Sequence, residues 1–141
     1  MFSTIWCGCA GGQARAFFVR EIVARAERKE WAWLLATREV RAVLVGIGAV
    51  CKDDKERVEV AKAIFYIAST TEAGLRVMTS RDVRDVLVDI ASVSSAASGV
   101  LQWLLIRTVA ALSKSDAGRR LVATEGVCRV LLRYYPGHWP F

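Results

Sequence analysis

The sequence predicts an all-α fold, a short stack of repeated helical units, from two observations. The first is a block of eleven residues that occurs three times, with an anchor valine at Val40, Val83 and Val127. The anchor valines are 43 and then 44 residues apart, a period typical of stacked groups of helices. The second is that apolar residues recur at helical spacing, and no useful stretch alternates as a strand does.

Helical segments follow one another along the chain, with capping residues between them. Asp53, Ser80 and Thr124 are predicted N-caps, because their side-chain oxygens can accept hydrogen bonds from the free N–H groups at a helix start. Residues 31–35 are predicted to form a short apolar turn. The predicted helices span residues 13–30, 39–51, 55–69, 80–93, 99–113 and 124–135.

Composition divides the 141 residues into three segments, with one core of ample size. Residues 1–12 are an apolar N-terminal arm, residues 13–135 the helical repeat domain, and residues 136–141 an aromatic C-terminal tail. Hydrophobic residues make up 54% of the chain and its mean hydropathy is +0.30, which is high for a soluble monomer. We therefore expect part of the apolar surface to contact another protein.

The first twenty residues contain no acidic side chain but include Arg15 and Arg20. Such a composition is found in mitochondrial presequences, although we favour an apolar arm that packs onto the fold or onto a partner. The four cysteines suggest no disulfide framework, which fits a reducing compartment. We expect a cytoplasmic protein, with a mitochondrial one as the alternative.

Several short motifs resemble the armadillo repeat family. Gly74 and Gly118 match the glycine that opens the short first helix of each armadillo unit. Residues 63–68 look like the end of the third helix, and residues 108–113 are the matching stretch one unit later. The resemblance covers about residues 31–135. It implies a short right-handed superhelical stack of armadillo- or HEAT-like units, each with a short helix and two longer ones.

The third-helix positions depart from the pattern of armadillo proteins that clamp extended peptides. In those proteins an asparagine pairs with the peptide backbone, and a tryptophan lies one turn earlier. Here Tyr66 and Ala111 stand at the asparagine position, and Lys62 and Arg107 at the tryptophan position. Peptide recognition of the nuclear-import type is therefore not expected. Lys62, Tyr66 and Arg107 instead form a basic-aromatic strip, for which we weigh an acidic protein segment or RNA against a merely solvated helix face.

The repeat count leaves an end face uncovered. The sequence predicts two full units, one preceding helix of the third-helix type, and a final unit without its third helix. Repeat proteins need covered ends. The tail contains Tyr135, Trp139 and Phe141, while Pro136 and Pro140 prevent a helix. These aromatic residues are expected either to cap the stack or to anchor a partner.

The net charge bears on the choice of partner, and the cysteine and histidine content bears on metal binding. The net charge is +6, and its surplus lies near the chain ends, which favours acidic partners, although ordinary solubility explains it as well. Cys51 and Cys128 are expected to pack as small hydrophobic residues. Cys7 and Cys9 are a weak metal candidate, because the single histidine, His138, leaves the ligand set incomplete. We expect no metal site and no cofactor.

The sequence contains none of the motifs that would indicate an enzyme. A phosphate-binding loop, a nucleophile elbow and a His-Glu-x-x-His pair are all absent. The uncharged stretch 90–106 is too short and too rich in serine for a membrane span. We therefore expect neither catalysis nor a small-molecule substrate. The favoured function is a protein-interaction or scaffold subunit of a larger assembly. The alternative is a small basic RNA-associated subunit of a ribonucleoprotein, possibly organellar.

Overall fold

The computed structural model describes residues 12–93 and 99–134, and this part of the chain is built from α-helices without strands. The all-α prediction is confirmed for these residues. Five of the six predicted helices agree with the structure to within one residue at each end. The helices are α1 (Gly12–Ala26), α2 (Lys29–Leu35), α3 (Arg38–Val50), α4 (Asp54–Thr70), α5 (Glu72–Met78), α6 (Arg81–Val93), α7 (Gly99–Leu112), α8 (Asp116–Val122) and α9 (Glu125–Tyr134).

The first predicted helix is wrong at its C-terminal end. It was expected to continue to residue 30 but ends at Ala26, and the expected turn over residues 31–35 belongs to α2. Arg28 takes an extended conformation (φ −100°, ψ 125°) and starts α2 without a side-chain cap. Ala32 of α2 is buried, and no proline or glycine stands between the two helices to break them.

Hydroxyl side chains start the repeated helices in the same way. Thr37, Ser80 and Thr124 precede α3, α6 and α9, and each accepts a hydrogen bond from the backbone N–H of the anchor valine, at 3.2, 3.3 and 3.3 Å. Thr71 and Ser115 cap α5 and α8 in the same way. The caps predicted at Ser80 and Thr124 are confirmed, as is the one at Asp53, whose Oδ1 accepts a hydrogen bond from the Glu56 N–H at 2.7 Å; those at Thr37, Thr71 and Ser115 were not predicted. The repeat in sequence is therefore a repeat in local geometry.

Two glycines allow the short helices α5 and α8 to approach the preceding long helix. A Cβ atom at Gly74 would lie 1.9 Å from the carbonyl oxygen of Ile67. At Gly118 it would lie 1.7 Å from the carbonyl oxygen of Leu112. Only glycine fits such contacts with backbone. Gly74 and Gly118 each stand nine residues before an anchor valine. The residue nine before the first anchor valine, Val40, is Trp31, so α2 does not repeat this close approach.

Helices that occupy equivalent places in successive repeats pack on one another. Helix α4 contacts both α1 and α7, and these three form the long-helix layer. Helix α6 contacts both α3 and α9, and these three form the second-helix layer. The buried positions of the long helices are in register, namely Val19, Ile22, Val23 and Ala26 in α1, Val60, Ala63, Ile64 and Ile67 in α4, and Leu105, Thr108 and Leu112 in α7.

Two arginines link consecutive blocks through equivalent hydrogen bonds. Arg41 donates from Nη1 to the carbonyl oxygen of Val77 at 3.0 Å, and Arg84 donates from Nη1 to that of Leu121 at 3.3 Å. Both arginines directly follow an anchor valine. Both acceptors lie in the last turn of the next short helix, where unpaired carbonyls attract positive charge. Cys128 stands at the third such position.

Removing either arginine link should weaken the contact between blocks. We expect Arg41→Met and Arg84→Met each to lower the free energy of unfolding by about 1–2 kcal/mol, because a charged donor is lost from a half-buried carbonyl. Arg81→Met is the control, since Arg81 is exposed on the same helix as Arg84. It should change stability by less than about 0.5 kcal/mol. Urea unfolding of all three variants provides the comparison, and equal losses in all three would contradict the links.

Candidate functional site

The three residues predicted to form the basic-aromatic strip lie on two packed helices of the long-helix layer. Lys62 and Tyr66 are half-buried on α4, and Arg107 is exposed on α7. Two residues that were not predicted lie among them, Phe65 on α4 and Trp103 on α7. Trp103 is one helical turn before Arg107, and this spacing of aromatic and cation was the available signal in the sequence.

Ring contacts join these side chains across α4 and α7. The ring centroids of Phe65 and Trp103 are 5.7 Å apart in an edge-to-face geometry, and those of Phe65 and Tyr66 are 5.4 Å apart. The guanidinium carbon of Arg107 lies 5.4 Å from the centroid of Trp103. We call Phe65, Tyr66, Trp103 and Arg107 the aromatic strip. These contacts limit the freedom of the indole ring before any partner binds.

Trp103 remains 51% exposed although two neighbours contact it. A large apolar side chain in this state loses little conformational entropy on binding and still has much surface to bury. Such a residue is typical of the anchors that dominate protein interfaces.

The charge of the surface differs from the expectation. Lys62 Nζ lies 3.8 Å from Glu59 Oε1, so its charge is shared with a carboxylate on the same helix. Arg107 is held against an aromatic ring instead. The strip is therefore more aromatic and less basic than its sequence suggested.

The register of the long helices places a second exposed aromatic residue at an equivalent position. Alignment of the buried positions makes Phe17 in α1 equivalent to Val58 in α4 and to Trp103 in α7. Phe17 is 59% exposed. Two of the three long helices thus present an aromatic side chain at this position.

A separate apolar region lies on the short helix α2. Trp31, Trp33 and Leu34 are 45%, 61% and 45% exposed, and Arg25 lies 5.9 Å from the ring centroid of Trp31. They belong to the first repeat, in which Trp31 stands in place of the glycine that brings α5 and α8 close to a long helix.

Several candidates from the sequence lie outside the described residues. Tyr135, Trp139 and Phe141 of the tail are among them, as are Cys7, Cys9 and His138. Within residues 12–93 and 99–134, no three His, Cys, Asp or Glu side chains come together as a metal site would require.

The two described cysteines have different surroundings. Cys51 is half-buried, and its thiol donates a hydrogen bond to the carbonyl oxygen of Gly48 at 3.3 Å. Burial raises the pKa of the Cys51 thiol, and the carboxylate of Glu56 adds to this effect. Cys128 was expected to be packed, and this is wrong, because it lies on an exposed side of α9. No described helix covers that side.

The difference in surroundings predicts different reactivity. Because the thiolate is the reactive form and the pKa of Cys51 is raised, iodoacetamide at pH 8 should alkylate Cys51 more slowly than Cys128. Peptide mass spectrometry over a time course measures both rates in one sample. Faster modification of Cys51 would show that α3 and α4 do not protect it.

The fold and this surface define an all-α protein with a preformed, exposed aromatic surface. None of the helices in the described ranges combines the length and hydropathy needed to cross a membrane. Comparisons of the chain with protein-family profiles, with curated proteins and with solved structures found no match.

Proposed function

We propose that this chain is a non-catalytic interaction subunit of a larger protein assembly and that the aromatic strip is its binding surface. The observation that carries the proposal is the exposed indole of Trp103, held in place by Phe65 and Arg107. Exposed aromatic side chains that already contact their neighbours are typical of surfaces that bind another protein.

For the fold we propose a short right-handed stack of armadillo- or HEAT-like units. Three repeated features support it. The hydroxyl caps recur before each second helix, the close glycine contacts recur in two blocks, and the arginine links recur between blocks. In a stack of this kind the third helices of successive units form one continuous surface, on which the aromatic strip lies.

The partner that best fits the aromatic strip is a protein segment with an apolar side chain next to a carboxylate. The apolar side chain would cover the exposed face of Trp103. The carboxylate would pair with the exposed guanidinium of Arg107. Lys62 is already close to Glu59, so a partner with several acidic residues in a row would meet a carboxylate there.

The test is affinity purification of partners with tagged wild-type protein and two matched variants. Trp103→Ser removes the proposed anchor. Val50→Ser changes a side chain of similar exposure, 50%, on the second-helix layer. We expect partners to be retained by wild type and by Val50→Ser. Trp103→Ser should weaken binding about 30-fold, which corresponds to the loss of a typical interface anchor.

A circular dichroism spectrum of each variant must show unchanged helix content, so that lost binding reports the surface and not unfolding. Partners retained equally by all three proteins would overturn the aromatic strip as the binding surface. Partners lost equally from both variants would do so as well.

One observation supports the alternative function, a small RNA-associated subunit of a ribonucleoprotein. An exposed tryptophan beside an arginine can stack a nucleobase and contact its phosphate. The carboxylate of Glu59 beside Lys62 opposes it, since it repels phosphate. We expect single-stranded RNA to bind no more strongly to wild type than to Arg107→Met at low salt. Tight binding that falls steeply with salt and is lost in Arg107→Met would favour the RNA function.

A further inference from the structure

Two exposed tryptophans have an arginine against their rings. The guanidinium carbon of Arg107 lies 5.4 Å from the ring centroid of Trp103, and that of Arg25 lies 5.9 Å from the ring centroid of Trp31. Trp33 is also exposed, but within residues 12–93 and 99–134 no arginine lies over its ring. The pairing of an exposed indole with a guanidinium, proposed as the anchor for a partner on α7, therefore occurs a second time.

The register of the long helices relates the second pair to the aromatic strip. Alignment of the buried positions makes Arg25 on α1 equivalent to Tyr66 on α4, which belongs to the strip. Trp31 adds its ring from the short helix α2, which contacts both α1 and α4. Helix α4 lies between α1 and α7, because it packs on both while they do not pack on each other. The two arginine–tryptophan pairs thus flank α4 on one layer of helices.

The spacing of packed helices gives the distance between the two pairs. Neighbouring helix axes are about 8–10 Å apart, so α1 and α7 are separated by about 16–20 Å across α4. Glu21 is the residue of α1 in register with Arg107, and Arg25 comes four residues later, which adds about 6 Å along the helices. The two arginines are therefore about 20 Å apart, too far for one side chain of a partner to reach both.

Arg25 retains hydrogen-bond donors for a partner. Its Nη2 lies 3.5 Å from Glu21 Oε2, and both side chains are about half exposed. An exposed ion pair within one helix is weak. A guanidinium has five N–H donors, so a second carboxylate can bind Arg25 without displacing Glu21.

We propose that the Arg25–Trp31 pair is a second anchor for the same protein partner. The partner then has two apolar side chains, each next to a carboxylate, about 20 Å apart. This role depends on the proposed function, since the partner is the one that binds Trp103 and Arg107. Once one anchor is occupied, binding at the other becomes intramolecular, so that two weak contacts give a tight complex.

Fluorescence anisotropy with three labelled synthetic peptides tests the second anchor on the full chain. One peptide has a single Leu-Asp pair. The linked peptide has two such pairs joined by a Gly-Ser linker of about 14 residues, whose average length is about 20 Å. The direct peptide has the two pairs joined without a linker, about 7 Å apart, which is too short to reach both arginines. We expect the linked peptide to bind at least about tenfold more tightly than either of the others.

Three variants assign this advantage to residues. Trp31→Ser should remove it and change the affinity for the single-pair peptide by no more than about twofold, because the Trp103 anchor remains. Trp33→Ser is the matched control, an exposed tryptophan on the same helix without an arginine over its ring, and it should keep the advantage. Circular dichroism must show unchanged helix content. If Trp31→Ser fails to fold, Arg25→Met takes its place.

Equal binding of the linked and the direct peptide overturns the second anchor. So does an advantage that is lost equally in Trp31→Ser and Trp33→Ser, or one that is lost in Phe17→Ser and kept in Trp31→Ser. Tighter binding of a single-stranded RNA of about twelve nucleotides, falling steeply with salt, assigns both anchors to nucleic acid and also overturns it. In contrast, single-pair binding that persists in the double variant Trp31→Ser/Trp103→Ser contradicts the proposed function.

Discussion

Gly74→Ala is expected to lower the free energy of unfolding by about 2–3 kcal/mol. The added Cβ would lie 1.9 Å from the carbonyl oxygen of Ile67, so the end of α4 or the start of α5 must move. The contact is with backbone and not with a flexible side chain, so it cannot be relieved by a rotamer change. The movement also strains the hydrogen bond from the Gly74 N–H to the Thr71 hydroxyl, now 2.9 Å long. Urea unfolding followed by circular dichroism measures the loss.

Two further glycine substitutions make this prediction specific. Gly118→Ala should cost a similar amount, since its Cβ would lie 1.7 Å from the carbonyl oxygen of Leu112. Gly46→Ala should stabilise the protein by about 0.5–1 kcal/mol, because it lies inside α3 and its Cβ meets nothing within 4 Å. A neutral Gly74→Ala would mean that α5 does not approach α4 as closely as described.

Ile64→Ala is expected to cost about 3–4 kcal/mol. Ile64 is fully buried at the centre of the long-helix layer, on the helix that packs against both α1 and α7. Truncation removes apolar contacts and leaves a cavity that two packed neighbours prevent from collapsing. Ile64→Val should lower the free energy of unfolding by about 1 kcal/mol. A loss that grows with the number of carbon atoms removed indicates an effect of core packing.

The control for this prediction is Val93→Ala, which truncates a side chain that is 63% exposed near the end of α6. It should change stability by less than about 0.5 kcal/mol. A loss below about 1 kcal/mol in Ile64→Ala would mean that α4 is not the central helix of the stack.

Local signals in the sequence were enough to predict most helices. Thr37, Ser80 and Thr124 stand three residues before an anchor valine, and each of them caps the helix that follows. Hydroxyl caps depend on nearby backbone only, so their effect can be deduced without the tertiary structure. The break at Arg28 could not be predicted, because no side-chain cap, proline or glycine marks that position in the sequence.

The candidate site was predicted only in part. Lys62, Tyr66 and Arg107 were found through their place on the third-helix pattern. Phe65 and Trp103 were missed because they lie in apolar stretches, where sequence does not distinguish a core residue from an exposed one. The pairing of Lys62 with Glu59 depends on rotamers, and it reduced the basic character expected of the strip.

The central claim is that like helices stack on like helices, since this places the aromatic strip on one surface. A two-dimensional NOE spectrum of the isolated chain tests it most directly. A Cβ at Gly48 of α3 would lie 3.1 Å from Val86 Cγ2 of α6, and the rings of Phe65 and Trp103 join α4 to α7. We predict cross-peaks between the Gly48 α protons and the Val86 methyl groups, and between the two rings. A helical protein that lacks both cross-peaks would contradict the stack.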